Sequence, residues 1–295
     1  MKINESPLVS IITINFNSLQ YTLDLLKSIV DLNYPNIEVI VVDNASKEDP
    51  RNLIISKFPE VTVVRSDKNL GFAGGNNLGV EKSEGDYLFF VNNDTEIQNG
   101  LIENLISVFY LKPNVGAVSP KIIYYGTNLI QFAGYTPLSL TGRNRAIGNK
   151  LTDGPEFQSI VVTPYLHGAA MMFSRSVVEQ VGLMPEIYFL YYEEMDWSEI
   201  VKRAGFDLYV NQRAVIHHKE SMSIGKMNPL KSYYLFRNRI LFVRRNFTLS
   251  RRVFFMVYIT LIALPKNLLT SVLKSEKMHF KAILRGFWWN IIYKS

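Results

Sequence analysis

Short apolar runs alternate with segments of helical spacing over the first 120 residues. The runs of strand length are residues 8–14, 37–42, 61–64 and 87–91. Apolar residues recur at helical spacing after the first run (Leu19, Leu23, Leu26, Ile29, Val30) and after the last (Ile97, Leu101, Leu105, Phe109). This alternation predicts right-handed βαβ units and a mostly parallel central sheet flanked by helices, which is an α/β fold.

The pattern becomes mixed after residue 120. Residues 177–181 predict a short helix that ends at Gly182, and residues 193–203 predict a second helix that ends at Gly205. Residues 208–210 and 215–216 indicate two short strands. The chain contains no internal repeat and no low-complexity segment.

Polar residues follow the buried strand predicted at residues 87–91. The run ends abruptly in Asn92, Asn93 and Asp94. Open α/β sheets bind ligands at the carboxyl ends of their strands. A carboxylate beside amides at that edge can hold a hard cation, and the cation can hold a diphosphate. Taken alone, this segment is equally well explained as a polar turn.

A segment rich in glycine and asparagine spans residues 69–79 and is predicted to be a loop that runs into a helix. Glycines let the backbone approach a ligand closely, and a helix N-terminus favours phosphate. The segment lacks the Gly-Lys-Ser/Thr of a P-loop, and its place after the third strand does not fit the dinucleotide fingerprint. Alone, it is better explained as a structural turn.

Titratable residues gather at two further places. Glu193, Glu194 and Asp196 are flanked by aromatic residues, a crowded setting that raises the pKa of a carboxyl and suits a general base. The alternative is a set of acids that stabilise a helix N-terminus.

His217 and His218 follow a predicted strand, so their side chains point to opposite faces and only one of them can reach a given site. A lone histidine is more often structural than a ligand.

Charge is distributed unevenly along the chain of 295 residues. The net charge is +6, but residues 219–294 contain 15 of the 32 lysines and arginines and only two of the 26 acids. Basic tails of this kind bind anionic membranes or nucleic acids. The chain has no cysteine, which excludes disulfides and thiolate metal sites, and its first seven residues do not resemble a signal peptide.

The basic tail also contains an apolar run at residues 253–264. The run is shorter than the ~20 residues of a spanning helix, and it extends further only across Pro265, Lys266 and Asn267. An interfacial or shallowly inserted helix is therefore favoured, with a core helix packed on the rest of the protein as the alternative. Six arginines around the run are expected to attract anionic headgroups: Arg237, Arg239, Arg244, Arg245, Arg251 and Arg252.

Taken in order, these motifs resemble family 2 glycosyltransferases with the GT-A fold over residues 8–245. The resemblance is closest to the bacterial rhamnosyltransferase-like enzymes that build cell-surface polysaccharides. Three motifs belong to the donor half: residues 9–17, the turn at residues 42–46, and the segment Asn-x-Gly-Phe-x-x-x-x-Asn-x-Gly at residues 69–79. Residues 92–94 occupy the place of the Asp-x-Asp metal motif. Residues 168–172, 191–197, 218–223 and 233–245 resemble the acceptor loop, the base motif, the segment with a late metal-binding histidine and the C-terminal basic helix.

The chain departs from the family pattern at three positions. Asn92 replaces the first aspartate of Asp-x-Asp, which leaves Asp94 as the main anionic ligand. Asn44 replaces an aspartate in the turn that binds the base of the nucleotide. Glu194 stands where the catalytic aspartate is expected, with Asp196 as the fallback base.

The resemblance implies an inverting, metal-dependent transferase that moves a sugar, rhamnose as the best guess, from a nucleotide-diphosphate sugar. The donor would be dTDP-rhamnose or a UDP-sugar, the cofactor Mg²⁺ or Mn²⁺, and the acceptor a glycan or a lipid-linked saccharide. It implies a base at Glu194 or Asp196, metal ligands at Asp94, Asn92 and His218, and acceptor contacts at Gly168, Glu193 and Trp197. The implied nucleotide-binding residues are Asn15, Phe16, Asp43, Asn44, Asn69, Gly71, Asn76, Asn77 and Asn93.

The resemblance also implies an organisation and a location. Residues 1–225 would form the catalytic domain, with a nucleotide-binding half at 1–120 and an acceptor half at 121–225. Residues 226–295 would form a membrane-associating helical region. The expected location is cytoplasmic, peripheral on the inner face of a bacterial plasma membrane.

Three other classes of protein were weighed against this interpretation. A dinucleotide-dependent enzyme would need glycines after the first strand, where the chain has none. A nucleic-acid-binding protein would spread its aromatic residues as stacking positions rather than cluster them. A non-catalytic carbohydrate-binding or scaffolding relative of the same fold stays open as the alternative function.

Overall fold

The structure, a computed structural model, describes residues 6–219 and 228–293. The predicted boundary at residue 225 and most of the 218–223 motif lie outside the described residues. The strands are β1 Val9–Asn15, β2 Ile37–Asp43, β3 Val61–Arg65, β4 Tyr87–Val91, β5 Thr95–Ile97, β6 Val115–Tyr124, β7 Ile130–Phe132, β8 Ile160–Val162, β9 Ala170–Ser174 and β10 Asp207–His218. The helices are α1 Leu19–Val30, α2 Arg51–Lys57, α3 Gly71–Val80, α4 Leu101–Leu111, α5 Arg175–Val181, α6 Glu193–Arg203, α7 Pro229–Asn246, α8 Leu249–Tyr258, α9 Leu264–Leu273 and α10 Lys277–Ile292.

One sheet runs through the described part of the chain, in the order β3-β2-β1-β4-β9-β6-β10-β5. The pairs β3-β2, β2-β1, β1-β4 and β6-β10 are parallel, so parallel pairs are the majority along this path, as predicted. β9 pairs antiparallel with both β4 and β6, so the two predicted halves of the catalytic domain share a single sheet. The register pairs Asn15 with Asp43 and Asp43 with Arg65, which brings the polar ends of three strands to one edge.

Helices cover both faces of the sheet because alternate side chains of each strand point to opposite faces. On one face the core includes Leu26 of α1 and Leu105 of α4, and on the other it includes Val178 of α5 and Trp197 of α6. All five residues of β4 are buried, as expected for a central strand covered on both faces.

Two local predictions were wrong. Ile97 lies in β5 rather than in a helix, because Gly100 (φ 84°) turns the chain before α4 begins. The two short strands predicted from Leu208 onward are one strand, β10, interrupted by a bulge between Asn211 and Val215. The segment at residues 69–79 does run from a loop into a helix as predicted, and the helix begins early, at Gly71.

The C-terminal apolar helix is longer than predicted. Residues Leu249–Leu273 are helical without a break, because a π-helical stretch at Ile259–Ala263 precedes Pro265 and accommodates its missing N–H. Asn267 turns its amide back onto the carbonyl of Ala263 (2.6 Å), which hides its polar group within the helix. By length and composition, this is the one helix in the described residues that could cross a membrane, with a mean hydropathy of 1.7.

Candidate active site

A cavity of about 500 Å³ lies at the sheet edge where β1, β2 and β4 end. It collects residues from distant parts of the chain, and 12 of the 17 site residues predicted from the sequence line it. These are Phe16, Asn44, Asn69, Gly71, Asn76, Asn92, Asn93, Asp94, Gly168, Glu193, Glu194 and His218. The cavity therefore brings together, in one place, residues of the motifs predicted to bind the donor and the cation and to supply the base.

Asn44 and Gly71 build the wall contributed by β2 and α3. The Asn44 amide donates to the Gly71 carbonyl (2.9 Å), and its oxygen accepts from the Leu70 N–H (2.8 Å). Gly71 has φ +74°, and a Cβ there would lie 2.1 Å from the carbonyl oxygen of Phe189. Glycine is therefore required where α3 meets the segment before α6.

Asn15 and Asp43 support this wall from behind and do not line the cavity. Asn15 donates to Asp43 (2.9 Å) and accepts from Thr22 (2.9 Å), and both Asn15 and Asp43 are buried. Arg65 completes the network with an ion pair to Asp43 at 2.6 Å. No local sequence pattern identifies Arg65 as part of the site, since the contact depends on the register of β2 and β3.

Asp94 and His218 contact each other in the lining of the cavity. Asp94 Oδ1 lies 3.2 Å from His218 Nε2, and His218 Nδ1 lies 2.8 Å from Gln131 Oε1. Because the Gln131 oxygen can only accept, Nδ1 of His218 is the donor in that contact, and Nε2 is the ring nitrogen that faces Asp94. Asn92, two residues before Asp94, lines the same cavity.

This arrangement fits a divalent cation. Neighbouring ligands of one octahedral Mg²⁺ at about 2.1 Å lie roughly 3 Å apart, close to the Asp94–His218 separation. Among the described residues no group of three or more His, Cys, Asp or Glu side chains is placed to hold an ion. Asp94, His218 and the amide oxygen of Asn92 would thus form a partial set, of the kind that substrate phosphates complete.

Glu193 and Glu194 begin α6 and line the cavity side by side. Burial raises the pKa of Glu194 to about 7. Burial, and then the charge of Glu194, raise the pKa of Glu193 well above its usual value. Glu193 is 3% exposed and its Oε2 has no hydrogen-bond partner among the described residues. Glu194 is therefore poised to take up a proton near neutral pH.

The other three predicted residues outside the lining are held within the protein. Asp196 is fully buried and pairs with Arg245 (3.0 Å), joining α6 to α7. Trp197 is stacked on Phe173 in the core, with ring centroids 4.1 Å apart, and its indole N–H donates to the Gly182 carbonyl (3.0 Å). The side-chain N–H of Asn77 donates to the Met184 carbonyl (2.9 Å), and its Oδ1 accepts from the Met184 N–H (3.1 Å). Each of these side chains positions an element rather than facing the cavity.

A strained segment precedes α6 and is held by α7. Phe189, Tyr191 and Tyr192 all have positive φ (65°, 69° and 77°), which is unfavourable for aromatic residues. The Asn238 amide donates to the carbonyls of Leu190 (2.7 Å) and Tyr191 (2.8 Å), while Arg237 donates to the carbonyls of Ile187 and Tyr188. The position of Glu193 and Glu194 therefore depends on α7.

Sequence reasoning missed several residues that line the cavity. Gln131 orients His218, and His167 lies beside it with ring centroids 6.3 Å apart. Burial, and then the nearby His218, lower the pKa of His167 to about 3, so this ring is neutral. Lys231 reaches the cavity from the first turn of α7. Only His167 carried a signal, because it directly precedes Gly168 of the acceptor motif.

The family model described as glycosyl transferase family 2 matches residues 10–182, more than half of the chain. The chain belongs to glycosyl transferase family 2. The matched segment of this family 2 glycosyltransferase includes Asp94 and Gly168. Glu194 and His218 lie beyond it and reach the site through α6 and β10.

Two curated relatives act in glycan synthesis according to their descriptions. A low-salt glycan biosynthesis hexosyltransferase of Haloferax volcanii is 26% identical over 91% of this family 2 glycosyltransferase and 85% of its own length. An N-acetylglucosaminyl-diphospho-decaprenol L-rhamnosyltransferase of Mycobacterium tuberculosis is 24% identical over 62% of this chain and 67% of its own.

A solved structure shares the fold of this family 2 glycosyltransferase. It is a mannosyltransferase from Pyrobaculum calidifontis in complex with GDP-mannose and Mn²⁺. The similarity has a TM-score of 0.59 at 15% identity and covers 99% of this chain and 89% of the other. The GT-A fold expected from the sequence is thereby confirmed.

Proposed function

We propose that this family 2 glycosyltransferase is an inverting, metal-dependent enzyme that transfers a sugar from a nucleotide-diphosphate sugar to a lipid-linked acceptor in surface-glycan synthesis. The observation that carries the proposal is the cavity itself, which joins the Asp94–His218 pair to the ionisable Glu194. A rhamnose donor is supported only by the relative from M. tuberculosis, whose description also names a diphospho-lipid acceptor.

Each side chain has a defined part in the proposed reaction. Asn44 and the α3 wall would hold the nucleoside, and Asp94, His218 and Asn92 would hold the cation. A bound cation would offset the negative charge that develops on the diphosphate leaving group. Glu194 accepts the proton of the acceptor hydroxyl. The hydroxyl oxygen attacks the anomeric carbon on the face opposite the diphosphate, and the bond from that carbon to the diphosphate breaks. One displacement of this kind inverts the configuration at that carbon.

The proposal is tested by the thermal stability of the purified protein with UDP-, dTDP- and GDP-sugars, each with and without Mn²⁺. A ligand that binds only the folded state at about 100 times its Kd adds about 2.7 kcal/mol, so we expect a clear rise in Tm with one nucleotide class. The rise should need Mn²⁺. A folded protein that responds to no donor would contradict the proposal and favour the non-catalytic alternative.

We also propose that the C-terminal helices dock on a membrane surface. The buried residues of Leu249–Leu273 that pack on α7 are few and lie on one side: Phe255, Ile259 and Ala263. An exposed apolar stripe runs along the other side and comprises Leu249, Val253, Phe254, Val257, Leu261, Ile262, Leu269, Val272 and Leu273. A stripe of this length is typical of a helix that lies in the membrane interface.

The expected role of the arginines in membrane binding needs a correction. Arg237 and Arg239 are buried, Arg245 pairs with Asp196, and Arg244 donates to the carbonyls of Asn290 and Tyr293. These four guanidinium groups hold α7 to its neighbours, which makes them poor candidates for binding headgroups. The exposed bases of residues 249–293 are Arg251, Lys266, Lys274, Lys277, Lys281 and Arg285.

Replacing Leu261 with glutamate is expected to release the protein from anionic vesicles. Leu261 is 70% exposed on the stripe, so its loss removes roughly 1.5–3 kcal/mol of burial in lipid and weakens binding about tenfold or more. Leu111→Glu is the matched control, because Leu111 is 66% exposed on α4, away from the stripe. Sedimentation with phosphatidylglycerol vesicles measures the effect. Equal binding by both variants would rule out the stripe as the docking surface.

A further inference from the structure

One basic side chain in the cavity has no role in the proposed mechanism. Of the lysines and arginines in the described chain, Lys231 is the only one that lines the cavity. Lys231 forms no ion pair with the described residues. Its Nζ lies over the ring of Tyr191, 5.9 Å from the ring centroid. A cation in a binding cavity without an acidic partner is suited to an anionic ligand.

The position of Lys231 is fixed by the start of α7. Asn228 caps the helix by accepting from the Leu230 N–H (2.9 Å), and the Lys231 N–H donates to the Asn228 carbonyl (3.0 Å). The first-turn N–H groups are therefore already used, and the Lys231 ammonium is the group left to donate. Asn228 and Leu230 line the cavity with it, so the positive end of α7 adds to the field of the ammonium.

The rest of the lining indicates what Lys231 would bind. The other ionisable groups of the cavity are the carboxyls of Asp94, Glu193 and Glu194 and the imidazoles of His167 and His218. Buried Glu193, with an oxygen that has no partner among the described residues, also indicates that a polar ligand completes the cavity. A divalent cation at Asp94 carries two charges, which leaves part of the charge of a diphosphate to be balanced elsewhere.

We infer that Lys231 binds a diphosphate group in this cavity. Its ammonium would neutralise part of the negative charge of the diphosphate that the cation leaves unbalanced. The inference rests on the proposed function and deepens it, since the donor and a lipid-linked acceptor both carry this group. In either source the ammonium makes a charge-assisted hydrogen bond to a phosphate oxygen. Loss of one such bond weakens binding by about tenfold.

The test compares Lys231→Ala and Lys231→Arg with the parent protein and with Lys82→Ala. Lys82 is exposed just beyond α3, outside the cavity lining, so its variant removes the same charge elsewhere. Binding of UDP, GDP, dTDP, the matching nucleosides and inorganic pyrophosphate is measured by calorimetry with Mn²⁺. Turnover is measured against the concentrations of nucleotide-sugar and of a polyprenyl-diphosphate-linked sugar.

A donor role predicts that Lys231→Ala weakens binding of the nucleoside diphosphate and of pyrophosphate about tenfold, leaves the nucleoside unaffected, and is rescued in part by arginine. An acceptor role predicts unchanged nucleotide binding and a KM for the lipid-linked acceptor that rises about tenfold. Lys82→Ala should match the parent in both.

Two outcomes would overturn the inference, and they are distinguishable. If the parent binds a nucleoside diphosphate and Lys231→Ala changes neither its affinity nor the KM for the acceptor, the role of Lys231 is refuted while the proposed function stands. If the folded parent binds no nucleoside diphosphate at all, the proposed function is refuted, and the inference that rests on it is refuted too.

Discussion

Replacing Asp94 with alanine is expected to abolish sugar transfer and to remove the dependence of donor binding on Mn²⁺. Asp94 is the one carboxylate of the three-residue cation set, and neither His218 nor Asn92 carries a compensating negative charge. A Mg²⁺ or Mn²⁺ ion is held by one or two carboxylates together with substrate phosphates, so the loss of the only carboxylate should leave no usable site. We expect a fall in kcat/KM of at least about 10³-fold.

The Asp94 prediction needs a check on folding, because Asp94 is 4% exposed and contacts His218. Asp94→Asn keeps the shape and should retain the thermal stability of the parent while losing the response to Mn²⁺. Asp31→Ala is the matched control, since Asp31 is exposed at the end of α1. Near-normal turnover by an alanine variant that is folded would exclude Asp94 as the metal ligand.

The sheet could be predicted from the sequence because its strands are local patterns. The buried run at residues 87–91 is apolar throughout, and its abrupt end in Asn92 fixes where β4 stops. The polar edge then follows from parallel pairing, which aligns the ends of β1, β2 and β3. The fold therefore depends mainly on features that one segment displays by itself.

The supports of the site could not be predicted, because they join segments that are far apart in the chain. Gln131 orients His218 across 87 positions, and Asn238 bonds the carbonyl of Tyr191 across 47. Neither side chain belongs to a local pattern. The basic tail was misleading for the same reason, since charge alone does not distinguish the buried guanidinium of Arg237 from the exposed one of Arg251.

Helix length also required the three-dimensional context. Proline normally disfavours a helix interior by about 3 kcal/mol, so the sequence favours an end near Pro265. The π-helical stretch Ile259–Ala263 removes the need for the proline N–H. The side chains of Asn267 and Ser271 donate to backbone carbonyls of the same helix, which satisfies their polar groups within the helix. The apolar stripe consequently extends to Leu273.

Replacing Glu194 with glutamine is expected to stop transfer while donor binding stays intact. The amide matches the carboxylate in shape and cannot accept the proton of the acceptor hydroxyl. A positioned base typically contributes about 10²–10⁴-fold, and we expect a fall in kcat within this range. Glu199→Gln is the matched control, because Glu199 lies on the same helix outside the cavity. Calorimetry with the donor and Mn²⁺ should give the same Kd for parent and variant.

The fallback base Asp196 makes this a choice between two residues. Asp196 is fully buried and pairs with Arg245. Asp196→Asn should therefore lower the free energy of unfolding by roughly 1–3 kcal/mol. The fraction that folds should keep most of its turnover. An active Glu194→Gln beside a folded, inactive Asp196→Asn would reverse the assignment and make Asp196 the base.

The pH profile of the parent provides the independent check on Glu194. A base works only when ionised, and burial raises the pKa of Glu194 to about 7, so kcat should rise as the pH rises through about 7 and fall below it. The groups that interact electrostatically with this carboxyl are Glu193, Tyr135, Tyr191 and Tyr192. Burial raises the pKa of all three tyrosines, to about 12 for Tyr191 and Tyr192, so they stay neutral across this range. The charge of Glu194 raises the pKa of Glu193, so Glu194 ionises first and Glu193 is still protonated as it does; Glu193→Gln should therefore leave the midpoint near 7. A midpoint that stays near 4 in the parent would mean that a solvated carboxyl, rather than Glu194 in this cavity, accepts the proton.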